Sequence, residues 1–167
     1  MSISFDEIIE QYGDRIVEET KKSYAELVER GMVLKKEPSG KLRLLYNRSW
    51  WGTPQRLILP IPDSKRCNKC NRSVGKNIAI IHTHLGTPLH SLTDMLNFAY
   101  NHDLSWLGTA TMDKKTGTVL VRAVKVNTLI PRLIPAVVAY LENELNYKYG
   151  IPTGPRVEIR EARIPLR

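Results

Sequence analysis

Apolar residues at Phe5, Ile8, Ile9, Tyr12 and Ile16 recur at intervals of three and four, the spacing that lines one face of a helix. Gly13 offers a break before a second helical stretch through Glu29, so the chain opens on one long or broken helix over residues 1–30. Met32 to Lys36 and Lys41 to Asn47 flank Pro38-Ser39-Gly40, which predicts a hairpin. Arg56 to Pro60, Asn77 to His82, Trp106 to Met112 and Thr118 to Lys125 are further strand candidates, and Val157 to Ile164 adds a last one. Leu92, Met95, Leu96 and Ala99 return to helical spacing and predict a helix over Leu92 to Tyr100. A later helix spans Leu133 to Leu145, with Pro131 and Pro135 suited to its first turn. This order predicts an α/β fold with a mixed, mostly antiparallel sheet flanked by helices. No internal repeat, heptad run or low-complexity segment suggests a linker, so residues 1–167 read as a single domain with its longest irregular insertion at 60–76.

The chain has 167 residues, 42% of them hydrophobic, enough to bury a sizeable core. No apolar run approaches eighteen residues and no charged, apolar leader opens the chain, so a soluble cytoplasmic protein with no membrane partner is expected. The formal net charge of +8 is uneven: Gly31 to Lys76 carries eleven Lys or Arg against two acids, Met1 to Arg30 four bases against eight acids. Such asymmetry suggests an acidic partner for one face. Arg48, Trp50, Trp51 and Arg56 interleave aromatics with cations, which suits stacked bases and phosphates. They equally suit a hairpin packed over the core. Without an accompanying nucleic-acid motif, a basic, solvated sheet face is the plainer reading.

Both cysteines lie in the insertion, as Cys67-Asn68-Lys69-Cys70. Two thiolates are half of a structural zinc site, which normally takes four ligands. A disulfide, a redox pair or two plain thiols in a turn are the other readings, and the redox one lacks a thioredoxin-like βαβ context.

The stretch from Ile78 to Asp94 carries the most chemistry: an apolar strand ending in His82 and His84, a turn through Gly86 and Pro88, then Ser91 and Asp94 opening a helix. Residues i and i+2 of a strand point to one side, so both imidazoles can aim at one point. Ser91 and Asp94, three apart, share a helix face, which lets the carboxylate close on the histidines. Two His and one carboxylate with an open fourth position is a catalytic zinc set. The same residues have a plainer reading, with Ser91 and Asp94 as a helix cap beside two ordinary polar residues. His90 reads as a turn residue, and His102 as a residue near a helix end.

His-x-His, a short loop and Ser-x-x-Asp on a helix together resemble the signature of the JAMM (MPN-plus) metalloprotease family, whose pattern includes an upstream glutamate. Val28-Glu29-Arg30-Gly31-Met32-Val33-Leu34 fits that segment, with Glu29 at the end of the first helix and 53 positions before His82. Glu26 and Glu37 are the next candidates. Trp106 to Met112 followed by Asp113 resembles the strand after the motif helix, so the resemblance covers Glu29 to Lys125. The chain departs from the family in having Leu85 where proline usually follows the second histidine, with Pro88 three places later. Its loop from His84 to Ser91 is also one residue shorter.

The resemblance implies a JAMM/MPN-like domain of cytidine-deaminase-like architecture, with zinc held by His82, His84 and Asp94. Glu29 would act as general base and Ser91 as donor to the oxyanion, in hydrolysis of a peptide or isopeptide bond. Ubiquitin-like modified proteins are the leading substrate class, and the 60–76 insertion a natural place for substrate contacts or a lid. The alternative is a catalytically silent JAMM-like binding module that holds nucleic acid or a partner protein on its basic surface. An amidohydrolase barrel using His-x-His is nearly excluded by length, since such barrels typically need about 250 residues.

Overall fold

Ser4 starts the first helix: its side chain accepts from the Glu7 amide while Glu7 reaches back to the Ser4 amide, a reciprocal cap. In the computed structural model, which describes residues 2–59, 77–99, 104–126 and 133–167, this helix α1 runs Phe5–Glu26 without a break. Gly13 is no hinge, because it is buried where a Cβ would touch the Ile164 side chain at 3.5 Å. The helix ends earlier than the apolar pattern implies. Leu27 takes a left-handed conformation (φ 55°) and its N–H caps the Ser23 carbonyl, so Glu29 lies beyond the helix in extended chain.

Next come β1 (Arg30–Lys36), β2 (Leu42–Leu44), a single 3-10 turn (Leu45–Asn47) and β3 (Trp50–Trp51). The expected hairpin is present, but its second arm is cut short at Leu44, where Tyr46 and Asn47 adopt positive φ and turn the chain. The strand expected from Arg56 is absent over 56–59, which runs as irregular chain. β4 (Ile78–Thr83), α2 (Leu92–Ala99), β5 (Leu104–Asp113), β6 (Thr118–Val126), α3 (Leu133–Tyr149) and β7 (Val157–Pro165) complete the order. The 60–76 insertion with Cys67 and Cys70, together with His102 and Pro131, lies outside the described residues.

The seven strands form one sheet in the order β2-β1-β4-β5-β6-β7, with β3 also on β1. Every pairing is antiparallel except β4 with β5, whose parallel alignment requires the crossover that α2 supplies. Alternation along the strands divides the core in two. Ala79 and Ile81 face α1 with Phe5, Ile8, Ile16 and Val17, whereas Ile78 and Ile80 face the other way with Met95 of α2 and Ala139 of α3. The molecule is thus an α/β domain with a mixed, mostly antiparallel sheet between helices, as the element order predicts. Among the described residues, no helix is long and apolar enough to cross a membrane.

Candidate metal centre

The alternation that turns Ile78 and Ile80 toward α2 and α3 continues into His82 and, one residue past the end of β4, His84. The His84 amide still donates to the Ala110 carbonyl at 3.1 Å, so the ladder to β5 carries on and both imidazoles keep to one face. The chain then turns back through Gly86 at φ +125°, a conformation that favours glycine. Two hydroxyls hold this turn. Tyr24 of α1 donates to the His84 carbonyl at 2.9 Å and accepts the Gly86 amide at 3.3 Å, while Thr109 donates to the Pro88 carbonyl at 2.6 Å. Leu85 in place of proline therefore leaves a well-anchored loop.

That loop delivers Ser91 and Asp94 to the start of α2. Asp94 Oδ2 accepts from the Ser91 amide at 3.0 Å, and Ser91 Oγ accepts from the Asp94 amide at 3.1 Å. The capping reading is correct, and it coexists with the ligand reading, because the same Asp94 Oδ2 lies 3.3 Å from His82 Nε2 and 3.4 Å from His84 Nε2. The two Nε2 atoms are 2.8 Å apart.

A tetrahedral shell with bonds of about 2.0–2.1 Å has donor atoms about 3.3 Å apart. The two edges to Asp94 match this spacing, and the edge between the imidazoles is somewhat shorter. Three inward lone pairs at such distances need a shared proton or a cation between them. The donor set is the one group of three or more His, Cys, Asp or Glu among the described residues that converges in this way, with all three atoms within 4.8 Å of one another. His82 and His84 are 5% and 9% exposed, so it lies at the floor of a cleft rather than on the surface.

The electrostatics agree with a cation site. Burial would raise the Asp94 carboxyl, but hydrogen bonds and charge from the two histidines overcome it and hold Asp94 well below the ordinary carboxylate range. Burial likewise opposes charge on His84, yet the Asp94 hydrogen bond and nearby negative charge leave its ring more basic than usual. The Thr87 backbone adds a smaller push in the same direction.

Glu29 shares the cleft. The β1–β4 register sets Gly31 against His82, and two residues further along, the same alignment brings Glu29 toward His84. Its backbone is pinned on both sides: the Glu29 amide donates to Thr53 and the Gly52 amide donates to Glu29, each at 2.9 Å. The cleft has a volume of about 800 Å³ and is lined by Glu29, His82, His84, Ser91 and Asp94, with Gln55 to Leu59 forming a side wall. Burial raises the Glu29 carboxyl, and so does Asp94, while the histidines partly offset this; the net effect is a carboxylate more basic than usual. The alternative glutamates are elsewhere engaged, Glu26 with Arg30 at 3.5 Å and Glu37 with Arg43, and neither lines the cleft.

Gly31 has a packing role: a Cβ there would lie 2.7 Å from a Leu57 methyl, 3.1 Å from His82 Cβ and 3.2 Å from the Ile81 carbonyl. His90 lies in the turn between β4 and α2, as its sequence position implies, but is not a surface residue. It is buried behind the triad, its ring centroid 5.8 Å from that of His82, and Asn143 of α3 lies 3.5 Å from its Nδ1. Burial together with neighbouring positive groups pushes the His90 ring well below the ordinary imidazole range, so it stays neutral. Nothing in the spacing marks His90, Tyr24, Thr109 or the Gln55 to Leu59 wall as parts of the site, because each depends on tertiary contact.

What the arrangement can do is hold a metal ion with three donors, beside a basic carboxylate and a hydroxyl at a helix start. Compared with known proteins, the chain matches no family model and no curated protein.

Proposed function

We propose that the protein is a zinc-dependent peptidase or isopeptidase of JAMM type, acting on a protein or peptide substrate with ubiquitin-like conjugates as the first class to try. The observation that carries this reading is the convergence of His82, His84 and Asp94 at the floor of a cleft that also contains Glu29. Neutral imidazoles and a carboxylate fit zinc. When bound, zinc would polarise a carbonyl and bring the pKa of a coordinated water to about 7.

The chain's own groups supply the rest. Glu29 takes a proton from the attacking water as its oxygen bonds to the carbonyl carbon, and returns it to the departing amine as the C–N bond breaks. The raised basicity of Glu29 favours that proton transfer. Ser91 accepts the Asp94 amide with an oxygen lone pair, which leaves its O–H to donate to the developing oxyanion. Deleting a comparable donor costs about 3–4 kcal/mol of transition-state stabilisation. Water is consumed, and a carboxylate and an ammonium group are released.

The test is elemental analysis of protein purified without a metal-binding tag, comparing wild type, His84→Ala and a Cys67→Ser, Cys70→Ser double variant. About one zinc per chain, lost in the first variant and kept in the second, is expected from the donor count. Glu29→Gln should keep zinc and lose turnover on isopeptide-linked substrates. No zinc in wild type after reconstitution would refute the proposal, and zinc with full activity in Glu29→Gln would refute the role of Glu29.

A further inference from the structure

The cleft opens onto a rim that the hydrolytic chemistry does not use. β3 consists of two tryptophans paired with the start of β1, Trp51 opposite Arg30 and Trp50 opposite Gly31. Alternation leaves Trp50 partly buried and turns Trp51 outward, 58% exposed. Guanidinium groups of Arg30 and Arg48 lie 5.5 Å from the Trp51 ring centroid, and Arg48 also lies 4.1 Å from that of Trp50. The chain then turns and returns as the cleft wall containing Arg56 and Ile58, the latter 73% exposed. Hydrogen bonds from Gly52 and to Thr53 tie this rim to Glu29.

Arg30 is paired with Glu19 and Glu26, but the other two arginines of this rim have no carboxylate partner among the described residues. Arg15, Arg30, Arg43, Arg122, Arg160 and Arg163 each lie within ion-pair distance of a carboxylate, whereas among the described residues Arg48 and Arg56 of the rim, like Arg156 and Arg167, do not. We propose that Trp51, Arg48 and Arg56 form a docking rim for an acidic, extended peptide segment next to the bond presented to the cleft. The proposal rests on the peptidase reading for its placement of the bond. Each of the two guanidiniums can take a peptide carboxylate through charge-assisted hydrogen bonds. Trp51 and Ile58 supply exposed apolar area, and Trp and Arg are the side chains that most often dominate protein interfaces. Single-stranded nucleic acid fits less well, since successive bases need successive aromatic platforms and this rim exposes one, already approached by two arginines.

The experiment is fluorescence anisotropy on the intact chain carrying Glu29→Gln, so that the probe survives. The probes are a short labelled peptide of alternating Glu and Leu, its Gln counterpart, and single-stranded oligothymidylate. The Glu peptide should bind about tenfold or more tightly than the Gln peptide, equivalent to one retained charge-assisted contact, and its affinity should fall with salt. Arg48→Gln with Arg56→Gln should abolish the preference, Lys at both positions should restore part of it, and Trp51→Ala should weaken both peptides. Circular dichroism and melting identify a variant that has lost its fold, and the Lys pair then decides. Equal binding of the two peptides, acid preference that survives the double Gln variant, or tighter binding of oligothymidylate at the same residues would each overturn the proposal. Acid-selective binding by a chain that neither holds zinc nor cleaves would instead sink the peptidase reading and leave the rim in place. Cleavage by the wild-type chain without acid preference would do the reverse.

Discussion

Asp94→Asn separates the two tasks that one oxygen performs. Asp94 Oδ2 caps α2 through the Ser91 amide and also faces both histidines. An Asn carbonyl can still accept the amide, so the cap should survive at a cost of a few tenths of a kcal/mol, whereas Asp94→Ala loses it at about 1 kcal/mol. In a chain of this length, 1 kcal/mol is about 2–4 °C in melting temperature. The metal reading adds a second, larger difference. Zinc at about 100 times its dissociation constant stabilises the wild type by about 2.7 kcal/mol, a rise of about 5–10 °C. Loss of the ligand charge should weaken binding by at least the factor of about 100 that outer-contact losses reach. The same zinc concentration then gives Asp94→Asn only about 0.4 kcal/mol, or about 1–2 °C. The assay is differential scanning fluorimetry of metal-free wild type, Asp94→Asn and Asp94→Ala across a zinc titration. A wild-type shift that Asp94→Asn reproduces in full would refute the assignment of Asp94 as ligand. Equal metal-free stabilities of the Asn and Ala variants would refute the cap.

Gly31→Ala should cost about 1–3 kcal/mol through overpacking and also blunt the zinc shift, because its Cβ presses on His82 Cβ and the Ile81 backbone; Gly108→Ala, which meets chiefly a mobile Ile81 methyl, should leave the zinc shift intact in the same melting assay. Tyr24→Phe removes both hydrogen bonds that hold the His84 to Gly86 turn, and should cost about 0.5–1.5 kcal/mol for each bond and slow zinc uptake, read by stopped-flow with a chromogenic chelator. In metal-free protein the Glu29 carboxyl is raised, so its ionisation opposes folding: stability is lost as pH rises from the unfolded value near 4.3 through the folded one. Glu29→Gln should therefore stabilise metal-free protein at pH 7 and not at pH 4, checked by urea unfolding at both. The raised His84 acts with the opposite charge type: its protonated form contributes stability below its unfolded value near 6.5 that is lost as pH rises through the folded value. Zinc must displace that proton, so affinity by competition titration should climb by about tenfold per pH unit below the folded His84 value and level off above it.

The fold was legible where apolar spacing is decided locally. The strands β4, β5, β6 and β7 and the helices α2 and α3 all lie where periodicity puts them, because each buries one or both faces in a way that alternation or 3.6-residue spacing records. The failures are tertiary. Glu29 looks helical because α1 has strong apolar spacing, but Leu27 ends the helix early and lets the chain enter β1. The segment at Arg56 is apolar enough for a strand, yet it bends to wall the cleft over Gly31. The candidate metal group was legible for a related reason, since His82, His84 and Asp94 are delivered by one strand, one turn and one helix start within thirteen positions. The supports from Tyr24 and Thr109 come from elements far along the chain, and no local pattern encodes them.

Cap and ligand need not compete, because a carboxylate oxygen has more than one lone pair. The Ser91 amide fixes Oδ2 from the α2 side and leaves electron density directed at the imidazoles. The positive end of α2 lies beside the same carboxylate and favours its charged form, as do the histidines, which hold it ionised far below neutral pH. Asp94 is therefore oriented and deprotonated before a metal arrives. The histidine side is held with comparable economy, by the β-ladder through the His84 amide and by the Tyr24 hydroxyl on the His84 carbonyl. A site assembled for capping alone would need neither the 2.8 Å approach of two imidazoles nor their burial beneath a cleft. Those two features cost desolvation and charge repulsion unless a cation or a shared proton is present, and they are the reason to weigh metal binding above a plain helix cap.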